Sequence, residues 1–339
     1  MKKTELDRNL FREKVLKCYD TYLNISNKYR LAIGIYYQGK FYTFGNGIDD
    51  SYLYDIGSIS KTITAHLILD LVNKGVIDLN KRVDNYLSLK KGNYPTLNEL
   101  LTHTAGYGNL TPLEITVPSL LKWGYAKKNI YDGCEEKHVI KALERRNKHK
   151  SGNKYGYSDF AYAVLALVAS NVTNCNFSYL LDDFIKNKLC LNETYLKVSK
   201  DRKPLAVNKN KILPYWNWDL DNPYIAAGGL TSNIGDMLKY IKLQIESDEF
   251  FITEAHKVCA ESLSKNSNIL MCKGWHTYKK SNQLWHVGGV GTFRSSIIIN
   301  KHKKYGVVVL GNAKGIVGAN VHYLAKMIYS ELKIKKIKL

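Results

Sequence analysis

The spacing of apolar positions changes period three times along this chain. At the start, "MKKTELDRNLFREKVLKCYD" carries Leu6, Leu10, Val15 and Leu16 at helical intervals, which predicts a first helix with one apolar stripe. The pattern then shortens. "LAIGIYYQGKFYTFGNG" reads as two strands folded about Gln38-Gly39, a hairpin signal, and "SYLYDIG" is short and extended. From Ile59 to about Ile252 helix and loop dominate. "ITAHLILDLVNKG" predicts a helix closed by Gly75, and "TLNELLTHTAG" another closed by Gly106. "SDFAYAVLALVASNV" is apolar nearly all round, as a buried helix is, and "TSNIGDMLKYIKLQI" is a fourth helix with Thr231 or Ser232 as its cap. Alternating or continuous apolar runs return in "NQLWHVGG", "TFRSSIIIN" and "YGVVVLGN", and "IVGANVHYLAKMIYSELK" predicts a final helix.

Strands at both ends and helices between them define an α+β class. The expected architecture is an antiparallel sheet built from both chain ends, flanked by the terminal helices, with a mostly helical domain inserted. The expected division is 1–60 with 230–339 for the sheet domain and 61–229 for the helical domain. The cleft between them is the expected place for a site.

Composition narrows the picture only in part. With 339 residues, 45% hydrophobic and 24% charged, the chain is long enough for a large core and shows neither a repeat nor a low-complexity tract. Its net charge of +20 raises the question of nucleic acid, but lysine far outnumbers arginine and the basic residues are scattered, apart from "ALERRNKHK" and "ELKIKKIKL". No nucleic-acid partner is expected. No apolar run reaches membrane-spanning length, and the first residues lack the apolar segment of a signal peptide. Six cysteines form no C-x-x-C pair. Free thiols and a cytoplasmic location are therefore expected.

The candidate chemistry begins at "DIGSISKTITAHLILDLVNKG", which places Ser58 three residues before Lys61 at the head of a long apolar helix. S-x-x-K also occurs at Ser88, Ser119, Ser151, Ser262 and Ser330, so the motif alone is weak; only Ser58 follows an extended segment and opens such a helix. There the hydroxyl meets unpaired backbone N–H groups, and residues i and i+3 share a face, so the Lys61 amine can reach it. A desolvated lysine has a lowered pKa and can relay a proton. The plain alternative is a capping serine beside a lysine that snorkels to water.

Two further stretches decide between these. "YSDFAY" puts Tyr157-Ser158-Asp159 before the buried helix, and "LWHVGGVGTF" puts His286-Val287-Gly288-Gly289 at the end of a strand. With them in view, the chain resembles the serine beta-lactamase and penicillin-binding superfamily. Within it, the chain is most similar to the class C beta-lactamase-like branch that also holds D-aminopeptidases, D-alanyl-D-alanine carboxypeptidases and family VIII esterases. Ser58-Ile-Ser-Lys61 matches its S-x-x-K element, Tyr157-Ser158-Asp159 its Y-x-N element and His286-Val287-Gly288 its K-T-G or H-x-G element. "LLTHTAG" and "AAGGLTSNIGDMLKY" agree with two supporting segments, and the order along the chain is the family's.

The resemblance implies that Ser58 is a nucleophile forming an acyl-enzyme, with Lys61 and Tyr157 sharing the base role. Tyr155 is the alternative phenol. The backbone N–H groups of Ser58 and Gly289 would form the oxyanion hole, while Asp159, His286 and Gly288 would contact substrate. Asp159 stands where class C lactamases have asparagine; it would hold Lys61 protonated or bind a substrate amine. His286 stands where lactamases have a lysine, and a mostly neutral imidazole argues against efficient beta-lactam hydrolysis. His103 in "THTAG" reads as an internal histidine. No cofactor or metal is expected. The expected function is a serine hydrolase acting on an amide or ester of a small peptide, ester or natural-product-like substrate. Acyl transfer or cyclisation through the same acyl-enzyme and a non-catalytic binding module are the alternatives. The loops "KWGYAKKNIYDGCEE" and "PYWNWDLDNPY" are expected to shape the pocket.

Overall fold

The computed structural model describes residues 2–3, 11–49, 52–108, 112–114, 116–117, 129–150, 155–261, 268–279 and 281–334. Its centre is a nine-stranded sheet made of β1 (Lys2–Lys3), β2 (Leu31–Tyr37), β3 (Lys40–Phe44), β4 (Val258–Glu261), β5 (Ile269–Cys272), β6 (His276–Tyr278), β7 (Gln283–Val290), β8 (Phe293–Asn300) and β9 (Tyr305–Gly311). The spatial order is β1-β3-β2-β9-β8-β7-β6-β5-β4. All neighbours run antiparallel except β1, which lies parallel to β3. The first and last thirds of the chain meet where β9 pairs with β2, Val308 opposite Gly34.

Period-two alternation sends successive residues to two different cores. Leu31, Ile33 and Ile35 of β2 join Val307 and Val309 of β9 beneath α1 (Glu13–Asn24) and the C-terminal helix, with Val15, Tyr22, Leu324 and Ile328 as their partners. Ala32, Ile297, Val308 and Leu310 face the other way, toward α4 (Ile234–Glu246) and the helical layer. In that layer α2 (Ser60–Asn73) is buried without interruption from Ser60 to Leu71. It packs against α3 (Asp159–Thr173), whose residues from Phe160 to Ala169 are likewise buried. Two adjacent helices without a polar face can persist only as the middle of a larger assembly. The last helix, α5 (Val321–Ile334), covers β8 and β9 and touches α1.

Several boundaries differ from those the sequence suggests, each for a local reason. The first helix runs over Glu13–Asn24, and Lys2–Lys3 add a strand to β3; Leu6 and Leu10 lie outside the described residues. The helix of "TLNELL" stops at Leu101, because His103 takes a left-handed conformation (φ 57°). α4 is capped by Asn233, whose side chain accepts the Asp236 N–H at 2.8 Å. Thr231 and Ser232 are unavailable for that role: they form a short strand between Tyr54–Asp55 and Thr194–Tyr195. Strands β4 to β6 carry no clear period in the sequence and were not expected. The hairpin at Gln38-Gly39 is present, with positive φ at both positions (47° and 86°). All six cysteines are free thiols, and among the described residues no single helix is long and apolar enough to cross a membrane.

Candidate active site

Ser58 sits in a one-turn 3-10 helix, Gly57–Ile59, that runs directly into α2. Its position is fixed from both sides. The Ile56 N–H donates to Leu230 O at 3.0 Å, and the Ile56 carbonyl accepts the Ser295 hydroxyl of β8 at 2.7 Å. Gly57 turns the chain with φ +52°, and a Cβ there would lie 2.5 Å from the Gly289 nitrogen. On β7, a Cβ at Gly288 would lie 2.0 Å from Ile56 O. Both glycines are therefore required for the strand to press against the loop that carries Ser58. The same strand pairs with β6 only at Leu284 and Trp285. Beyond Trp285, no strand pairs with that flank of β7 among the described residues, leaving an edge beside Ser58.

Lys61, one turn into α2, has a side chain with no exposed surface. Its Nζ donates to Ser58 Oγ at 3.1 Å and to the Ala227 carbonyl at 2.6 Å, and it forms an ion pair with Asp159 Oδ1 at 2.6 Å. Burial pulls the amine's pKa down, and the Asp159 carboxylate works against that shift. The snorkelling alternative does not describe this geometry. Asp159 opens α3 and is locked by a second partner, the Tyr131 hydroxyl, which donates to Oδ2 at 2.6 Å. Its carboxylate thus faces the interior of the site.

Tyr157 precedes Ser158, whose side chain caps α3 by accepting the Ala161 N–H at 3.2 Å. Loss of such a cap costs about 1 kcal/mol. The phenol ring lies 4.9 Å from Lys61 Nζ, measured to its centroid, and packs 4.5 Å from the His103 ring. Burial drives the Tyr157 pKa well above its ordinary value, and the Asp159 charge adds to this; a hydrogen bond with Ser58 opposes it. Tyr155, the other candidate phenol, is turned away toward His276 Nε2, at 3.2 Å.

Three histidines surround the phenol. His286 donates Nδ1–H to Val287 O at 2.8 Å, so in the neutral ring Nε2 carries the lone pair, and that atom is buried without a partner. Burial, then His276 and Lys61, keep its pKa well below normal. His276 is pushed down to about 4 by burial and by Lys61. His103 is internal as expected: its Nδ1 accepts the Ser158 N–H at 3.1 Å, and burial lowers its pKa strongly. Burial thus favours the neutral form of all three rings.

The cavity at this site has a volume of about 1010 Å³ and reaches from Ser58 and Tyr157 along β7 to the segment 314–322. The aromatic loop 214–224 instead borders a smaller hollow of about 580 Å³ with Tyr215, Trp216 and Trp218. Of the other expected pocket loop, residues 122–128 lie outside the described residues. Its Tyr131 stacks on Tyr224 with ring centroids 4.1 Å apart. The structure thus gathers Ser58, Lys61, Tyr157, Asp159, His286, Gly288 and Gly289 into one place. It also adds Gly57, Tyr131, His276 and Arg294, which no motif in the sequence marks.

This arrangement sits on the penicillin-binding and beta-lactamase fold. The family model described as Beta-lactamase matches residues 29–326, so the chain belongs to the beta-lactamase family. Among curated relatives, Protein flp of Staphylococcus aureus (strain NCTC 8325 / PS 47) is 25% identical over 293 residues, covering 81% of this chain and 54% of the relative. A Beta-lactamase of Providencia stuartii is 28% identical over 207 residues, covering 59% of this chain and 49% of the relative. The chain spans about half the length of these curated relatives. A class C beta-lactamase structure superposes with a TM-score of 0.77 at 18% identity, covering 96% of this chain and 99% of that one. The octameric penicillin-binding protein homologue of Pyrococcus abyssi gives 0.73 at 22% identity, covering 95% and 75%.

Proposed function

We propose that this chain is a serine hydrolase that cleaves an amide or ester bond of a small peptide, ester or natural-product-like substrate through an acyl-enzyme on Ser58. The observation that carries this reading is the enclosed Lys61 amine, 3.1 Å from Ser58 Oγ. Burial acts in opposite senses on the two proton carriers, favouring loss from Lys61 and retention by Tyr157. In its neutral form, which burial favours, Lys61 takes the Ser58 proton as Oγ attacks the carbonyl carbon, and Tyr157 gives its proton to the leaving group. Tyr157 is then reprotonated from Lys61, so the pair shares the base role over the cycle. The Ser58 and Gly289 N–H groups receive the oxyanion, each worth about 3 kcal/mol of barrier. The substrate backbone pairs with the open edge of β7, in the cleft between the sheet domain (1–60 with 230–339) and the helical domain (61–229).

A neutral His286 places no cation where lactamases use lysine, so turnover of a chromogenic cephalosporin is expected to be slow or absent. Rapid turnover would refute that part. Acyl transfer is the second reading, because a cavity of about 1010 Å³ leaves room for an amine or alcohol acceptor beside the acyl group. The test of the main reading is intact-mass spectrometry after treatment with a fluorophosphonate, on wild type and Ser58→Ala. One adduct, mapped to Ser58 and absent from the variant, is the expected result. A well-folded wild type that forms no adduct would leave a binding module as the better description.

A further inference from the structure

The cavity wraps around the end of β7, and its two sides differ in charge. On the Ser58 side, Asp159 balances Lys61. On the other, Arg294 stands opposite Gly289 in the β7–β8 register, with Nη1 3.1 Å from where a Gly289 Cβ would lie. That nitrogen donates to the carbonyl oxygens of Gly291 (3.1 Å) and Phe293 (2.6 Å). Among the described residues no carboxylate pairs with Arg294 or with Lys314, which also lines the cavity, and the cavity wall contains no Asp or Glu. Among the described residues the hydrogen bonds of this half-buried guanidinium go to carbonyl oxygens, and without a carboxylate partner it gains strongly from an anion.

The same wall is apolar. Val287 and Val321 line it beside Trp285, and Ile316 and Val317 form its rim with 46% and 99% of their surface exposed. Fully exposed valine next to partly exposed isoleucine at the mouth of a cavity gives hydrocarbon a place to bury.

We propose that Arg294 is a specificity-determining residue, selecting substrates in which a carboxylate or phosphate is joined to a hydrocarbon segment that lies along Val287, Ile316, Val317 and Val321. This rests on the reading of the Ser58 cleft as the substrate site and adds the class of molecule it takes. Lys314 contributes long-range attraction from the rim, where solvent weakens it.

Binding can be measured apart from turnover by calorimetry on the Ser58→Ala protein, with octanoate, octyl phosphate, octanamide and acetate as probes. The anionic octyl compounds are expected to bind at least about tenfold tighter than octanamide, as one charge-assisted pair allows. Octanoate should exceed acetate by a similar factor of about ten. Arg294→Gln in the same background should erase the preference for anions, and Lys314→Ala should weaken octanoate by about two- to threefold. Should Arg294→Gln fail to fold, the ratio of octanoate to octanamide and its decline with added salt decide in the parent protein. Octanoate ahead of octyl phosphate assigns a carboxylate, and the reverse order a phosphate monoester. Octanamide binding as well as octanoate, acetate equalling octanoate, or an anion preference that survives Arg294→Gln would each overturn the proposal. Octanoate binding that persists in a protein whose wild type takes no fluorophosphonate would remove the hydrolase reading and leave this site standing.

Discussion

Two lysine–aspartate pairs are enclosed within a few residues of each other, and they have opposite surroundings. Lys203 meets Asp55 at 2.5 Å, with side-chain exposures of 9% and 4%. Asp55 also accepts the Thr231 hydroxyl at 2.7 Å, across the short strand pair that leads into Ser58. Lys61 meets Asp159 at 2.6 Å, with exposures of 0% and 27%, and the same amine faces a serine hydroxyl at the edge of a cavity. Charge, burial and distance hardly separate the two. What separates them is the third partner: a strand hydroxyl in one case, a hydroxyl open to substrate in the other. A buried ion pair becomes a candidate for chemistry only where a nucleophile and a space meet it.

The sharpest way to break this comparison is to remove each amine in turn. Lys61→Met should slow acylation of Ser58 by about a thousandfold, the loss typical of a missing general base, read as the rate of fluorophosphonate labelling. Lys203→Met should change that rate by less than about threefold while lowering the unfolding free energy by about 3 kcal/mol or more. It leaves the Asp55 carboxylate buried without its cation. Denaturant titration reads the second quantity. Equal effects of both substitutions on labelling would erase the distinction.

Acid should affect the two regions differently. His276 is held at about 4 in the folded protein, and His286 and His103 are also held well below their ordinary value. A folded-state pKa below the unfolded one means that the unfolded chain takes up protons first as pH falls. For His276 that stability, about 3 kcal/mol, is present above about pH 6.5 and is lost between there and about pH 4, and His286 and His103 act in the same sense. Urea midpoints measured across that window should fall, and His276→Gln should flatten the decline.

The smallest effect is a shift of profile. Asp159 raises the Lys61 pKa against the pull of burial. Asp159→Asn removes that support, so the acid limb of the labelling profile should move to lower pH. A limb that moves upward or stays fixed would mean that another group sets it.

Much of this was legible in the sequence because the informative residues are close along the chain. Ser58 and Lys61 are one turn apart, Tyr157 and Asp159 frame the cap of α3, and His286 to Gly289 lie on one strand, so local patterns display each group. The continuous apolar runs of α2 and α3 likewise declare burial without any knowledge of the fold. What stayed hidden depends on contacts between distant segments. Tyr131 reaches Asp159 from 28 positions away, and Arg294 matters only because β8 brings it opposite Gly289. Gly57 looks like an ordinary turn residue until β7 is seen 2.5 Å from its missing Cβ. Strands β4 to β6 are three or four residues long, too short for a period to show.

The most direct test of the central claim is the time course of fluorophosphonate labelling, followed by intact mass, for wild type, Lys61→Met and Lys203→Met side by side at pH 7. The account expects rapid single labelling of wild type and of Lys203→Met, and about a thousandfold slower labelling of Lys61→Met. Labelling of a folded Lys61→Met at the wild-type rate would contradict it, because the enclosed amine would then have no part in activating Ser58.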